Sequence, residues 1–523
     1  RKKKGAFSMK KAMKKLMAAL LAVAMVCAMA IPAFAATEDI SDHSFSAFQI
    51  FKGDVNGNTL SNVEWGSSIE HPDDFLSKLK ADTTLSSKFT GANNLQDVLA
   101  VMKDWTTSDD DSIAFARFVC KYLYPKPDSN PTAACTSSTS TIDFTQAGYY
   151  LIVDTSNFAL SYNANNAFLL NVTKAESVTV NSKAEKPSVE KKVYDNDDIG
   201  STGENNGWLS SADHAINEEF QFKLTATVPA SADHAYDYYD KYMVTFHDTL
   251  SDGITFDRWD TVVINNGGSD ITIPAGNYTP DVSGQDLTLS IDDVKTCVGS
   301  LDLNKGATIT VTYTAHLNDK AFVNTASGDT KNTNKVFLTY SNNPKNSAFW
   351  GKTPESEVYV FTYQLNNTKY QDEIKDGNEL KDAGFRLYSA ATCNDAEEIK
   401  LKKNTDGTYS RYFGADAGDE MFSDDKGQFN VKGLDAGTYY LKETSTPTGF
   451  NTCPVTTVTI KANHTKNHVD LTDSTMSTTI VNNHGTTLPG TGGIGTTIFY
   501  VVGGGLMVAA GVLLITKKRM ENR

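Results

Sequence analysis

The 523-residue chain lacks the sequence patterns of most enzymes and nucleic-acid-binding proteins. It has no glycine-rich phosphate loop, no nucleophile elbow and no Cys/His spacing typical of zinc. Basic residues are also scarce, because 48 Lys and Arg stand against 63 Asp and Glu, which gives a net charge of -15. A nucleic-acid partner requires a basic surface, so this balance argues against one. The sequence therefore predicts no cofactor, no metal site and no catalytic constellation for an external substrate.

The N-terminus is typical of a secretory signal peptide. A cluster of Lys and Arg precedes an apolar run from Leu16 to Ile31 and the small-residue site Ala33-Phe34-Ala35, which is the order of such a signal. We predict a signal peptide over residues 1–35, cleaved after Ala35. The alternative is a retained membrane anchor, which is disfavoured because the run is shorter than the ~20 residues that a span needs.

The C-terminus, residues 487–523, combines three features in order. They are Leu488-Pro489-Gly490-Thr491-Gly492, an apolar stretch from Ile494 to Ile515, and the basic segment Lys517-Lys518-Arg519. The stretch is long enough to cross a bilayer once, with the basic end in the cytoplasm. The combination resembles an LPxTG sorting signal, which implies that a sortase cuts after Thr491 and transfers its carbonyl to an amine. A plain membrane anchor is the alternative.

The body of the chain is predicted to be mostly β. Short alternating runs rich in Thr, Val and Tyr, broken by Gly, Asn, Asp and Pro, indicate tandem immunoglobulin-like β-sandwiches. Polar segments at 183–187 and 341–346 divide it into domains over 36–182, 183–350 and 351–486. Helical patterns are confined mostly to the first domain, at Asp73–Leu79, Leu95–Trp105 and Ser112–Leu123.

The exported part contains five cysteines, and an exported chain can form disulfides. We predict Cys393–Cys453 within the third domain and, as a second pair, Cys120–Cys135 within the first. This pairing leaves Cys297 without a partner.

Single polar residues interrupt the apolar faces of several predicted strands. Residues two apart in a strand share a face, so Lys191, for instance, is in phase with Val189 and Val193. In chain order these polar residues are Lys191, Asp248 and Asn334 in the middle domain, and Lys369, Glu443 and Asn482 in the third. The order of lysine, acid and asparagine is the same in both domains.

Three buried side chains of this kind can react with one another. Burial lowers the proton affinity of a lysine and raises that of an acid. A neutral amine can then attack the asparagine side-chain carbonyl while the neutral acid donates a hydrogen bond and shuttles protons. Ammonia leaves and an uncharged isopeptide bond remains, which removes the cost of burying the polar groups.

Nearly the whole chain resembles the backbone (major) pilins of Gram-positive bacteria. The segment 334–344 with Lys191 is similar to their middle isopeptide-forming domain, 440–450 resembles the pilin E-box, and the third domain resembles a CnaB-type domain. The resemblance implies cross-links Lys191–Asn334 and Lys369–Asn482, with Asp248 and Glu443 as the promoting acids. Asn324 and Asn332 remain alternatives to Asn334.

The resemblance also implies a lysine that receives Thr491 of another subunit, in a V-x-V-Y-P-K-like motif at the end of the first domain. The segment Val178–Lys183 has the position and the Val-x-Val part, but Asn-Ser replaces Tyr-Pro. We favour Lys183, with Lys186 and Lys126 as alternatives.

A weak internal repeat links the first and third domains. Residues 147–155 echo residues 436–444, with Asp154 and Glu443 at the same offset, which predicts a shared sandwich plan. No convincing Lys/Asn pair accompanies Asp154. Lys52 shares a face with Phe48 and Ile50, so a third bond in this domain stays open.

The resemblance implies a structural function. Identical subunits would be joined by sortase into a covalent, cell-wall-anchored pilus that supports adhesion, with minor pilins and peptidoglycan as further partners. The chain would be no enzyme beyond forming its own bonds. The rival interpretation is a wall-anchored or pilus-tip adhesin, which binds a host ligand and needs no acceptor lysine.

Overall fold

A computed structural model provides the structure of the chain. It describes residues 43–56, 59–105, 109–125, 130–139, 141–156, 167–172, 175–179, 186–195, 207–231, 234–344, 350–484 and 494–521. The predicted signal peptide, Lys126, Lys183 and the segment 488–492 lie outside the described residues.

The first domain packs helices against a five-stranded sheet. Its strands are β1 (Phe45–Asn56), β2 (Thr59–Trp65), β3 (Cys135–Ser137), β4 (Thr141–Phe144), β5 (Gly148–Asp154), β6 (Ala167–Val172) and β7 (Glu176–Thr179), and its helices span Pro72–Ala81, Ser86–Phe89, Leu95–Met102 and Asp110–Leu123. The sheet order is β2-β1-β5-β6, β3 also pairs with β1, and β4 pairs with β7. The three predicted helices are confirmed, since their apolar faces, which include Phe75, Val98 and Phe115, are buried.

The middle domain is a sandwich of two sheets. Its strands are β8 (Ser188–Tyr194), β9 (Trp208–Leu209), β10 (Ser211–Asp213), β11 (Glu219–Val228), β12 (Val244–Leu250), β13 (Ile254–Asn265), β14 (Ile271–Thr272), β15 (Thr279–Ser283), β16 (Asp286–Ile291), β17 (Ala307–Leu317), β18 (Asn332–Ser341), β19 (Trp350–Lys352) and β20 (Ser356–Phe361), with short 3-10 helices at Ala235–Tyr238, Ala275–Asn277 and Leu303–Lys305. One sheet has the order β14-β13-β17-β11-β8-β9, the other β10-β20-β18-β12-β16-β15, with β19 on β18. Alternate residues of both sheets, such as Phe222 and Leu338, meet in one hydrophobic core.

The packing of the middle domain extends beyond residue 350, the predicted boundary with the third domain. Strand β20 pairs with β18 over Asn332–Val336 and runs parallel to β10. Val358 and Val360 are buried in the core of the middle domain. Tyr359 and Phe361, on the other face of the strand, belong to the core of the third domain. One strand thus serves both domains.

The third domain is a second sandwich. Its strands are β21 (Tyr363–Gln371), β22 (Gly384–Tyr388), β23 (Glu398–Ile399), β24 (Leu401–Lys403), β25 (Tyr409–Arg411), β26 (Met421–Phe422), β27 (Val431–Leu434), β28 (Gly437–Ser445), β29 (Thr456–Ile460), β30 (Asn463–Thr465), β31 (His468–Asp470) and β32 (Ser477–Asn482), with a 3-10 helix at Asp395–Glu397. The sheet orders are β24-β25-β27-β21-β32 and β23-β22-β28-β29, with β26 on β22 and a hairpin β30-β31. The first and last strands, β21 and β32, are parallel neighbours. The predicted mostly β fold with helix in the first domain is confirmed.

The predicted disulfides are not formed among the described residues. Cys120 belongs to the hydrophobic cluster beneath the helices of the first domain, whereas Cys135 packs against a different cluster. Cys393 lies near Lys442 and Cys453 near Glu443. Since consecutive residues of a strand point to opposite faces, the last two thiols lie on opposite sides of β28.

A C-terminal helix spans Ile494–Glu521. Its segment Ile498–Glu521 is long and apolar enough to cross a membrane. The position agrees with the predicted span that follows the sorting motif.

Candidate functional site

The first candidate site lies between the two sheets of the middle domain. Lys191 projects from β8 in one sheet, and Asp248 on β12 and Asn334 on β18 project from neighbouring strands of the other. Their exposed fractions are 2%, 1% and 0%. The alternation of these strands places the trio that the sequence singled out in one core.

Tyr313 on β17 connects the three residues. Its hydroxyl donates to Asp248 Oδ2 at 3.0 Å and accepts from Lys191 Nζ at 3.1 Å and from Asn334 Nδ2 at 2.6 Å. Lys191 Nζ also forms an ion pair with Asp248 Oδ2. Tyr313 could not be singled out from the sequence, because a tyrosine in an apolar strand pattern is an ordinary core residue.

The electrostatics of this site favour neutral groups. Burial lowers the pKa of Lys191 to about 8, although Asp248 opposes the shift. Burial also raises the pKa of Asp248, against the effects of Lys191 and Tyr313. Asp248 Oδ1 and Asn334 Oδ1 are buried acceptors with no hydrogen-bond donor among the described residues. Because such acceptors cost free energy, a proton on Asp248 would relieve one of them by making it a donor.

The second candidate site lies in the third domain. Lys369 on β21 and Asn482 on β32 belong to adjacent parallel strands, and Glu443 on β28 reaches them from the other sheet. Lys369 Nζ donates to Asn482 Oδ1 at 2.5 Å, and Asn482 Nδ2 donates to Glu443 Oε1 at 2.6 Å. Lys369 Nζ is 3.6 Å from Glu443 Oε1. All three side chains are buried.

Cys453 completes the surroundings of this second trio. Its backbone N–H donates to Glu443 Oε2 at 2.9 Å, which holds the carboxylate in place. Burial lowers the pKa of Lys369, opposed by Cys453 and Glu443. Burial raises the pKa of the Cys453 thiol to about 11. The thiol is therefore protonated at neutral pH.

The alternatives to these residues lie elsewhere. The Asn332 side chain bonds to the backbone of Phe322 and Val360, and Asn324 Nδ2 donates to Thr330 O. Lys192 points to the other face of β8, where its Nζ reaches Ser210. None of these contacts involves Lys191.

The first domain has a different arrangement at the repeat position. Asp154 is fully buried but interacts with His43 Nδ1 at 2.6 Å and with Ser156 Oγ at 2.6 Å. Lys52 is about half exposed and pairs with Glu64 at 3.2 Å. Within the described residues, no lysine–asparagine pair faces Asp154, so the third bond gains no support.

Of the candidate acceptor lysines, the structure describes Lys186. It is partly buried and lies just before β8. Lys183 and Lys126 are outside the described residues.

Comparisons with known proteins match two parts of the chain to families. Residues 363–475 match a prealbumin-like fold domain, SpaA, and residues 480–522 match the LPXTG cell wall anchor motif. No curated protein sequence matches the chain.

Several solved structures are similar at low identity. A backbone pilin of Streptococcus pyogenes has 15% identity and a TM-score of 0.47, with 86% of this chain and 98% of that chain covered. The full-length major pilin SpaD from Corynebacterium diphtheriae has 16% identity and a TM-score of 0.40, with 85% and 93% covered. A C-terminal fragment of a major pilin of Streptococcus agalactiae has 20% identity and a TM-score of 0.40, with 57% and 100% covered.

The anchor motif and the apolar helix that follows it define the class of the protein. It is a secreted surface protein anchored to the cell wall. Its third domain is a SpaA-type prealbumin-like sandwich. With these features the chain resembles the sortase-assembled backbone pilins of Gram-positive bacteria.

Proposed function

We propose that the protein is the structural subunit of a covalently polymerised cell-surface pilus. A sortase would join Thr491 of one subunit to a lysine of the next, with Lys183 favoured. The observation that carries the proposal is the pair of buried lysine–acid–asparagine trios ahead of a wall-anchor motif. A buried lysine costs folding free energy unless a reaction removes its charge. Two such lysines in one chain favour the same reaction in both domains.

We infer that each trio forms an isopeptide bond. A proton passes from the lysine to the acid, which leaves a neutral amine and a neutral carboxylic acid. The amine nitrogen then attacks Cγ of the asparagine, the bond to Nδ2 breaks, and a proton delivered to that nitrogen releases ammonia. One amine and one primary amide become one secondary amide and one ammonia, so the atoms balance.

The third domain supports this chemistry through the position of Glu443. Its Oε1 accepts a hydrogen bond from Asn482 Nδ2, the nitrogen that must leave. A protonated Glu443 would therefore lie within reach of the leaving group, as a general acid must. Lys369 already touches the amide oxygen of the same asparagine.

Intact mass spectrometry of residues 36–486 under reducing conditions tests the bonds. Each bond removes one ammonia, so a deficit of about 34 Da is expected, with peptide maps joining Lys191 to Asn334 and Lys369 to Asn482. Asn334→Ala and Asn482→Ala should each keep a deficit of about 17 Da from their own sequence masses. The exposed neighbour Asn483 offers a matched control, since Asn483→Ala should keep the full deficit. A wild-type mass equal to the sequence would overturn the bonds.

Denaturing gels of cell-wall extracts test the polymer. A ladder of high-mass species is expected from the wild type, and Lys183→Ala should abolish it. Loss of the ladder in Lys186→Ala or Lys126→Ala instead would move the acceptor to that lysine. A single monomer band from the wild type would favour the wall-anchored or tip adhesin, which shares the anchor but needs no acceptor.

A further inference from the structure

The junction between the middle and third domains buries two carboxylates and one imidazole. Asp195 follows β8, Asp213 ends β10, and His464 is the central residue of β30. One carboxylate oxygen from each aspartate and one ring nitrogen lie within 4.8 Å of one another. The three side chains are at most 1% exposed. The sequence predicts no metal site, because these residues are too far apart in the chain to form a recognisable spacing.

His464 presents Nδ1 to Ser211 and Nε2 to both aspartates. Its Nδ1 is 2.8 Å from Ser211 Oγ. Its Nε2 is 3.7 Å from Asp195 Oδ2 and 3.7 Å from Asp213 Oδ1. These separations are too long for hydrogen bonds. They approach the roughly 3.4 Å that separates ligand atoms held at about 2.1 Å from one tetrahedral ion.

The hydrogen bonds around the cluster also suit a metal site. When a histidine binds a metal through one ring nitrogen, a hydrogen bond at the other nitrogen usually holds the ring in place. Ser211 makes that contact here. Asp195 Oδ2 accepts from the backbone N–H of Asp213 at 3.1 Å, which orients that carboxylate. With both contacts in place, one oxygen of each aspartate and one ring nitrogen of His464 still lie within 4.8 Å of one another.

The charges of the side chains also favour a bound cation. Two ionised carboxylates in one buried place repel each other and are costly to desolvate. A divalent ion with two carboxylates and a neutral imidazole gives a net charge of zero. A mixed nitrogen and oxygen set suits transition metals such as Zn²⁺, whereas Ca²⁺ and Mg²⁺ prefer oxygen alone.

We propose that Asp195, Asp213 and His464 bind one divalent transition-metal ion that joins the middle domain to the third. The aspartates belong to the middle domain and the histidine to the third. The hairpin β30-β31 that carries His464 already contacts the middle domain, where Leu471 N donates to Ser327 Oγ at 2.8 Å just after the hairpin. A bound ion would hold this contact closed. The site is independent of the proposed isopeptide bonds and of polymer assembly.

Zinc binding to the full chain in detergent micelles tests the site. The protein is stripped with a chelator and dialysed against Zn²⁺, and we expect one ion per chain and a raised unfolding midpoint. His464→Gln and Asp213→Asn should each weaken binding about tenfold or more, since even indirect partners of a metal are worth 10–100-fold. His468→Gln is the control, because His468 lies on the same hairpin but is exposed beside Asp329.

Two results would overturn the proposal. One is a wild type that takes up no Zn²⁺ and shows no shift in its unfolding midpoint. The other is equal binding by the wild type and a folded His464→Gln or Asp213→Asn variant, which would place the ion elsewhere. Circular dichroism of the metal-free proteins establishes which variants fold, and either one suffices.

Discussion

Tyr313 distinguishes the two proposed cross-link sites at the scale of single residues. In the middle domain its hydroxyl lies between Lys191 and Asn334 and is bonded to both. In the third domain Lys369 contacts Asn482 directly. If the proposed bonds form, the middle site would use a tyrosine to position its nucleophile and its electrophile, whereas the third site would rely on adjacent strands.

Replacing Tyr313 by Phe should slow bond formation in the middle domain. The ring would stay in the core, but the hydrogen bonds that align Lys191 and Asn334 would be lost. Misplacement of reacting groups by about 1 Å can cost on the order of 10²-fold in rate. Mass spectrometry during refolding or shortly after synthesis would measure it, with the Lys369–Asn482 bond of the same molecules as the control. Equal rates for Tyr313→Phe and wild type would mean that the hydroxyl has no positioning role.

The buried Lys191 should also leave a pH signature when its bond cannot form. Burial lowers the pKa of the unbonded Lys191 amine to about 8, and Asn334→Ala should leave the amine in this state. Between about pH 8 and 10 the unfolded state then binds more protons than the folded state. The free energy of unfolding of this domain should therefore rise with pH, by up to about 1.4 kcal/mol per pH unit.

The control for this measurement is Lys191→Met/Asn334→Ala, which lacks the titrating amine. Denaturant titrations at pH 8, 9 and 10 would compare the two proteins. Parallel pH dependence in both would show that Lys191 does not titrate in this range.

Strand alternation explains why the trios could be predicted from the sequence. Lys191 and Asn334 each break an apolar face with a period of two, and that period follows from the pleat. Tyr313 and Cys453 gave no such signal. Tyr313 fits its apolar face, and Cys453 lies outside the strands, so their roles depend on which elements the fold brings together.

At the scale of elements, the pairing of strand β20 could likewise not be predicted from the sequence. The sequence pattern places its apolar run in the third domain, because a sequence does not reveal with which strand a run pairs. In the structure Val360 faces the core of the middle domain, while Phe361 faces the core of the third. The two cores therefore share β20, and only Thr362 separates β20 from β21.

Neighbouring substitutions in β20 should destabilise different domains. Val360→Ala should lower the free energy of unfolding of the middle domain by on the order of 2 kcal/mol, because it removes buried apolar surface. Phe361→Ala should lower that of the third domain by about 3–5 kcal/mol. Both changes are best made in the background Asn334→Ala/Asn482→Ala, in which neither domain is cross-linked.

Limited proteolysis with mass mapping would show which domain opens first in each variant. If the third domain of Val360→Ala opened first while the middle domain stayed intact, this would contradict the assignment of Val360 to the core of the middle domain.

At the scale of the whole molecule, the two proposed bonds define which residues carry load. Tension entering at Thr491 would pass from Asn482 to Lys369, along residues 334–369, and from Asn334 to Lys191. The chain between each bonded pair would be bypassed. With Lys183 as the acceptor, the first domain would also lie outside this path.

Pulling single molecules between residues 183 and 491 should reveal this bypass. The wild type should show no unfolding step in the third domain. Asn482→Ala should release the chain between Lys369 and Asn482, which are 113 positions apart, an extension on the order of 400 Å at 3.3–3.6 Å per residue. Asn483→Ala is the control and should behave as the wild type. A step of this size in the wild type would show that the bond is absent or breaks under load.

The direct contact of Lys369 with Asn482 has a consequence for the denatured protein as well. Once bonded, these residues close a covalent ring through the third domain, and the ring persists when the fold is lost. By the relation for cross-linked chains, closing a loop of about 100 residues removes denatured-state entropy worth about 5 kcal/mol. Part of the free energy of unfolding of such a domain would therefore come from the lower entropy of its unfolded state. The unfolded ring would also be more compact than an open chain of equal length and would refold faster.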